Sequence, residues 1–475
     1  MNAPLFSRRN ALKSIGCGFG YMALAGLAAQ QRASANPSQN STGKPHFAPK
    51  AKRVIFLFMA GGVSQVDSFD YKPSLIKMDG QMRDFADLRS IQRGDKAPPK
   101  QRVMKPLWEF KQRGQSGLWA SDLFPETAKH MDDMCVIRSM HTEGVAHGPA
   151  TLFLHTGASN FVRPSMGSWL LYGLGSENQN LPGFVNIGPS LGNGGPRNFG
   201  NGFLPAIYQG TAMGRAGVPA NEIAFRNIHA GREETSARSQ FDLQQALNAE
   251  QLKHKPGDQE LEAVLNSYEL AWRMQSHAPG VVDISAESDA TKALYGIGEK
   301  GTDDFGRKCL MARQLSESGV RFVQVNYNIN SSSNPAWDQH SDMPKHAVHA
   351  NAVDKPIAGL LADLKTRGLL EDTIVWWGGE FGRTPYAEKN GTGRDHNPGG
   401  FTMWVAGGGF KPGFSYGATD EFGHYAVEDK VHMHDLHATI LHQLGLDHEK
   451  LTFRHDGRDY RLTDVHGEVV KDLLI

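Results

Sequence analysis

Apolar residues along the chain fall in short unbroken runs that end in glycine-rich turns. Val54-Ile55-Phe56-Leu57-Phe58 runs into Ala60-Gly61-Gly62, the pattern of a strand buried on both faces with a turn at its C-terminal end. Similar runs predict strands at Met134 to Arg138, Val320 to Val325, Thr373 to Trp377 and Thr402 to Ala406. Helical spacing appears between them, at Ala150 to His155, Ser165 to Leu174, Lys345 to Arg367 and Asp435 to Leu444. Strands alternating with helices predict an α/β fold, a mostly parallel central sheet with helices on both faces. Trp376 and Trp377, adjacent in one strand, must then face opposite sides of that sheet as core residues.

Two stretches depart from this pattern. Residues from about Pro189 to Gly301 open with Gly192-Asn193-Gly194-Gly195-Pro196 and continue into polar helices such as Gln251 to Gln275, which predicts an inserted cap rather than sheet. Asn36 to Lys50 is rich in Pro, Ser and Lys and is expected to be a mobile linker ahead of one domain over residues 51–475. Before it, Ser7-Arg8-Arg9-Asn10-Ala11-Leu12-Lys13 precedes a mildly apolar stretch from Ile15 to Ala29 and the small-residue site Ala33-Ser34-Ala35. That order resembles a twin-arginine export signal, so residues 1–35 are expected to be removed and the protein to be periplasmic or otherwise outside the cytoplasm. An uncleaved signal anchoring the chain ranks low, because the stretch is short for a span.

Composition narrows the function classes. The 475 residues carry 50 Lys+Arg against 50 Asp+Glu, so there is no basic footprint for nucleic acid. Loss of the signal would remove four basic residues and leave the mature chain at about −4. No apolar run is long enough to span a bilayer. With the signal gone only Cys135 and Cys309 remain, each in an apolar context that predicts a buried free thiol rather than a disulfide.

Candidate chemistry gathers after the strands, where open α/β sheets bind ligands. Gly61 to Asp70 follows the first strand, with Asp67 and Asp70 its nearest acids. Asn326-Tyr327-Asn328 and then Trp337-Asp338-Gln339-His340-Ser341-Asp342 follow the Val320 strand. Glu380-Phe381-Gly382-Arg383 and then Gly393-Arg394-Asp395-His396 follow the Thr373 strand. Carboxylates and imidazoles from separate strand ends suit a divalent metal that polarises a phosphoryl or sulfuryl oxygen. Arg383 reads either as an anion clamp or as a structural salt bridge to Glu380 or Asp395. Asp435 reads as a helix N-cap, and His432, His434, His437 and His442 as a solvated helix start rather than a ligand set.

Five of these segments resemble, in order, an exported family of unknown function, number fifteen-oh-one, placed in the alkaline phosphatase and sulfatase clan: Met59 to Pro73, Trp337 to His340, Gly379 to Pro385, Gly393 to His396 and Asp435 to Leu441. The likeness covers about residues 50–465. It implies a sulfatase-like fold and a metal-dependent hydrolase of phosphate or sulfate esters. Laid on the clan's nucleophile motif, His147-Gly148-Pro149-Ala150-Thr151 puts His147 where sulfatases carry formylglycine. Glu380 falls where the clan has a ligand Asp, Phe381 where it has a ligand His, and the first strand ends without its usual Asp.

The resemblance therefore implies one remaining metal, Zn, Mn or Ca, with Asp338, His340, Glu380 and His396 as ligands. His147, Glu380 and Arg383 become the catalytic candidates, His147 or Glu380 acting as base or His147 as a covalent nucleophile. The substrate implied is a small anionic ester or a sulfated glycan. The departures at the nucleophile position, at Phe381 and at the first strand favour the alternative, a non-catalytic protein that holds an anionic glycan or a surface partner.

Overall fold

The computed structural model describes residues 43–86, 99–225, 234–254, 259–328, 334–388 and 391–475. The expected export signal and the first part of the linker lie outside the described residues. The central sheet is built on β1 (Arg53–Met59), whose two neighbours are parallel to it. The other strands of the sheet, together with the short pair β7 (Gly382–Arg383) and β8 (His396–Asn397) beside it, are β2 (Met134–His141), β3 (Phe184–Ile187), β4 (Thr211–Met213), β5 (Phe322–Tyr327), β6 (Thr373–Gly378), β9 (Phe401–Ala406), β10 (Phe414–Tyr416) and β11 (Val431–His432). Across the sheet the order is β10-β2-β9-β6-β1-β5-β3-β4, with β11 also paired to β2.

Within this sheet all pairs are parallel except those of β9, which runs antiparallel to both β6 and β2. That reversal matters for the site. The edge reached by the C-terminal ends of β1, β2, β5 and β6 is also reached by the N-terminal end of β9, so the segment entering β9 joins the loops leaving the other four.

Alternation along each strand sends side chains to two cores. Ile55, Leu57, Met59 and Trp377 face one core and Val54, Phe56, Phe58 and Trp376 the other. The two tryptophans divide as expected, with Trp376 stacked on Phe56 at 3.8 Å. The first core is covered by α5 (Asp303–Glu317) and α6 (Lys345–Thr366), which contribute Leu310, Leu315, Val353, Ile357 and Leu361. The second is covered by α1 (His147–Thr156), α2 (Met166–Leu174) and α7 (Met433–Gln443), through Phe153, Trp169, Leu436 and Ile440. Burying each such large apolar side chain stabilises the fold by roughly 1.5–3 kcal/mol. Cys135 lies in one core and Cys309 in the other, both as free thiols. Burial pushes the Cys135 thiol up to about 12.

Three expectations need correction. The Pro189 to Gly301 stretch is not purely a cap, because β4 within it extends the sheet edge parallel to β3. Its helix over Gln251 to Gln275 falls across two helices, α3 (Glu234–Lys253) and α4 (Gln259–Val282). The last residues of the expected linker are docked: His46 N donates to Gly445 O at 2.8 Å, and Lys50 N to Gln443 O at 2.8 Å. Among the described residues no helix is long and apolar enough to cross a membrane.

Candidate metal centre

Five segments that converge at the common edge supply the site. His147 is the first residue of α1, reached from β2. Asp338 and His340 lie in the loop after β5, and Glu380 follows β6 directly. His396 opens β8, which pairs with β7 so that His396 stands opposite Arg383. The loop leaving β1 contributes no acid but makes room for one. Gly61 has φ +114, and a Cβ there would sit 2.7 Å from the backbone N of Asp338, so only glycine lets the Asp338 loop close onto the sheet.

Asp338 Oδ1 is the hub. His340 Nε2 lies 3.0 Å from it, His396 Nε2 3.1 Å and His147 Nε2 3.2 Å. Each imidazole is held from behind through Nδ1: His147 by Glu380 Oε1 at 2.6 Å, His340 by Glu388 Oε2 at 2.5 Å and His396 by the carbonyl of Val145 at 2.8 Å. A carbonyl can only accept, so Nδ1 of His396 carries a hydrogen and its neutral ring presents a bare Nε2 lone pair. Nε2 of His340 stands 3.0 Å from it. Anchored Nδ1 atoms with Nε2 atoms converging on one carboxylate oxygen are the outer-shell arrangement of metal-ligating histidines. His147, Asp338 and His396 form one group of three possible ligand atoms within 4.8 Å of one another, and His340, Asp395 and His396 form a second that shares His396, so the cluster fits a divalent ion.

The charges follow from this packing. Burial opposes charge on His147, but its hydrogen bonds to Asp338 and Glu380 outweigh that and raise it to about 9. Asp338 is likewise opposed by burial, yet His147, His340, His396 and Arg383 hold its carboxyl far below the usual range. Burial lowers His396 to about 4 despite Asp338. Glu380, although wholly buried, stays ionised because its contact with His147 outweighs desolvation.

Several candidates take roles different from those expected. Glu380 holds the far side of the His147 ring from Asp338 and also accepts from Gly61 N at 3.0 Å, so it orients His147 rather than facing the converging Nε2 atoms. Arg383 is no anion clamp. Its side chain is wholly buried and donates to the carbonyls of Gly61, Gly62, Trp337 and Arg394 and, at 2.8 Å, to Asp338 Oδ1, a salt bridge to neither Glu380 nor Asp395. Phe381, at the position where the resemblance implied a ligand His, stacks on the His396 ring at 4.3 Å and walls the site. Asp67 is paired with Arg394 at 2.8 Å and Asp70 with Lys72 and Thr419, so both are structural.

The histidines of α7 are not a solvated helix start. His434 and His437 are buried, with Nε2 atoms donating to the carbonyls of Gly157 and Leu154. Asp435 caps α7 from inside the first turn by accepting from His432 N at 2.8 Å. Sequence reasoning missed the supports of the imidazoles, Glu388 and the Val145 carbonyl. Neither lies in a strand-end motif, and a backbone acceptor has no side-chain signature to find.

Residues 51–474 match the family described as "Protein of unknown function (DUF1501)", and the chain belongs to that family. No curated protein sequence matches the chain. Among solved structures it is similar to Ps i-CgsB in complex with k-i-k-neocarrahexaose (13% identity, 83% of this chain and 72% of that chain, TM-score 0.36). It is also similar to the PsFucS1 sulfatase from Pseudoalteromonas sp. (12%, 84% and 68%, TM-score 0.35) and to the alkaline phosphatase from the Antarctic bacterium TAB5 (9%, 83% and 98%, TM-score 0.32). The fold is mixed α/β, a large central sheet flanked by helices.

Proposed function

We propose that the protein is a metal-dependent hydrolase of phosphate or sulfate esters that works without a covalent nucleophile at the usual position. The observation that carries this reading is the convergence of the His340 and His396 Nε2 atoms on Asp338 Oδ1, with both Nδ1 atoms engaged behind. Asp338, His340 and His396 would hold the ion, a two-nitrogen, one-oxygen set that suits Zn or Mn better than Ca, which prefers oxygen ligands throughout. When bound, such an ion supplies Lewis acidity toward a phosphoryl or sulfuryl oxygen.

His147 is the group placed to move a proton. Glu380 fixes its Nδ1, and Nε2, protonated because the ring is raised to about 9, stands beside the ligand cluster as an oriented proton donor for the leaving group. Phe381 and the Trp337 loop exclude water from one side of the cluster, which strengthens interactions with charge developing there. A small anionic ester, such as that of a sulfated glycan, is the substrate class we favour. We further propose export by the twin-arginine route, on the Arg8-Arg9 segment.

The test is metal analysis of the purified mature chain, with turnover of aryl phosphate and aryl sulfate esters by wild type and His147→Ala. Bound metal with turnover lost in the variant supports the reading. Metal-free protein inert toward every ester under added Zn²⁺ or Mn²⁺ leaves the non-catalytic alternative, which the histidine at the nucleophile position favours.

A further inference from the structure

Where the end of β2 meets the start of α7, the rings of His141, His432, His434 and His466 lie side by side, and the proposed reaction uses none of them. β11 pairs with β2 so that His432 stands opposite His141, with ring centroids 5.0 Å apart. The His432 ring is 5.1 Å from that of His434, which in turn stacks on His466 at 5.5 Å. Phe153 of α1 packs against His432 and His434.

Hydrogen bonds fix where the protons of this cluster sit. His432 is the N-cap of α7: its Nδ1 accepts from His434 N at 3.4 Å, while Asp435 accepts from His432 N. Nδ1 needs a bare lone pair to accept, so charging His432 and capping α7 exclude one another. His434 donates through Nε2 to the Gly157 carbonyl at 3.0 Å. A second proton would go to its Nδ1, which is buried with no hydrogen-bond partner among the described residues. Charging that ring would bury an unpaired donor among other imidazoles.

The charges around the cluster do little to offset this. Lys430 lies just before it, and Glu143 and Asp464 are the nearer acids on the loops that flank it. Asp435 already accepts from the backbone N of His432 and of Glu468. Within α7 the next imidazole, His437, has its ring 6.2 Å from that of His434. Burial, reinforced by the neighbouring rings, lowers His432 to about 3, and burial lowers His141 and His434 as well.

This corner lies on the connection to the candidate metal centre. Between His141 and His147, Thr142 N donates to the Pro398 carbonyl at 2.9 Å, and the Val145 carbonyl accepts from His396 Nδ1. His434 and His437 hold the carbonyls of Gly157 and Leu154 at the far end of α1, the helix that His147 opens.

We propose that these imidazoles form an acid-sensitive latch between β2 and α7. Protonation of His141, His432 and His434 parts the two elements, frees the segment 142–146 that leads to His147 and seats His396, and shuts the site in acid while the central sheet stays folded. The loss of activity rests on the hydrolase reading; the local opening does not. Rings that are neutral when closed and free to charge when open favour opening only as pH falls. One such ring changes the opening equilibrium by at most about tenfold per pH unit, and three together by up to about a thousandfold.

The experiment is hydrogen exchange of the full chain over a series of pH values, corrected for intrinsic rates, on peptides spanning 140–147 and 430–437, with 53–59 as reference. Opening of the first two should rise by more than about tenfold per unit below about pH 6.5 while 53–59 stays protected. His432→Asn keeps a cap that cannot charge, so protection at about pH 7.5 should be unchanged and the slope should fall by about tenfold per unit. His141→Gln, which leaves the cap untouched, should flatten the slope likewise. Ester turnover should be lost reversibly on acidification, and less so in His432→Asn.

A slope no steeper in the two corner peptides than in 53–59, or one unchanged in both variants, overturns the latch. So does protection of these peptides by Zn²⁺ that His432→Asn abolishes, because the imidazoles would then be a metal site. Acid opening of the expected steepness without turnover of any ester would sink the hydrolase reading alone. Turnover with the same pH dependence in wild type and His432→Asn, and no local opening, would sink the latch alone.

Discussion

Nδ1 of His147 lies 2.6 Å from Oε1 of Glu380, two residues 233 positions apart in the chain, and Nε2 of the same ring faces Asp338. The contact exists because β2 and β6 deliver their C-terminal ends to one edge of the sheet with only β9 between them. It makes Glu380 a positioning residue. Glu380→Gln should leave bound metal unchanged and lower turnover by about 10²-fold or more, the scale of a misaligned proton-transfer group. Metal content and the pH profile of turnover check this. A loss of metal in the variant would make Glu380 a ligand after all.

Arg383 gives a stability prediction. Its guanidinium is the buried counter-charge of Asp338 and ties together the carbonyls of Gly61, Gly62 and Trp337. Removing one partner of a buried pair costs about 3–5 kcal/mol, so Arg383→Ala should lower the denaturant midpoint sharply or prevent folding. An anion clamp would instead lose substrate affinity at unchanged stability.

Gly61 gives a second. With φ +114 and the Asp338 backbone 2.7 Å from an added Cβ, Gly61→Ala must push the Asp338 loop outward. The expected result is a destabilisation of about 1–3 kcal/mol with weaker metal binding, read by thermal melting and metal titration. Gly80, which has nothing within 4 Å of an added Cβ, is the control: at its φ of +80 Gly80→Ala carries backbone strain alone and should leave metal binding intact.

Buried histidines set the acid limit of the fold. Burial lowers His437 to about 3 and His155 to about 4, each outweighing a stabilising hydrogen bond to a carbonyl. Above the unfolded value of about 6.5 both are neutral folded or unfolded, and they carry no penalty. As pH falls below 6.5 the unfolded chain takes up protons that the folded chain refuses. Each then removes on the order of 1 kcal/mol per pH unit until its folded value is reached. Melting temperature should therefore fall steadily between pH 6.5 and 4. His437→Gln or His155→Gln should flatten that slope even where it lowers stability at pH 7; an unchanged slope would contradict the assignment.

Much of this architecture was legible in the residues. The apolar runs at Val54, Met134, Val320, Thr373 and Thr402 are strands, and the split of Trp376 from Trp377 follows from strand alternation alone. Strand direction was not legible, since Thr402 to Ala406 looks the same read either way, and only the pairing with β6 and β2 shows the reversal. The acids and imidazoles of the site were visible as residues at strand ends, but their division of labour was not. Arg383 and Glu380 look equally exposed in a loop sequence. That one is sealed under carbonyls and the other stands behind a histidine depends on the close approach at Gly61, which spacing does not encode.

The most direct measurement is the metal content of purified wild type, His396→Ala and His147→Ala, taken together with their turnover of aryl phosphate and aryl sulfate esters. The account predicts one Zn or Mn per wild-type chain with turnover, loss of both metal and turnover in His396→Ala, and metal retained with turnover lost in His147→Ala. Metal-free wild type that neither takes up Zn²⁺ or Mn²⁺ nor cleaves any ester, or a His396→Ala variant that binds metal as well as wild type, would contradict it.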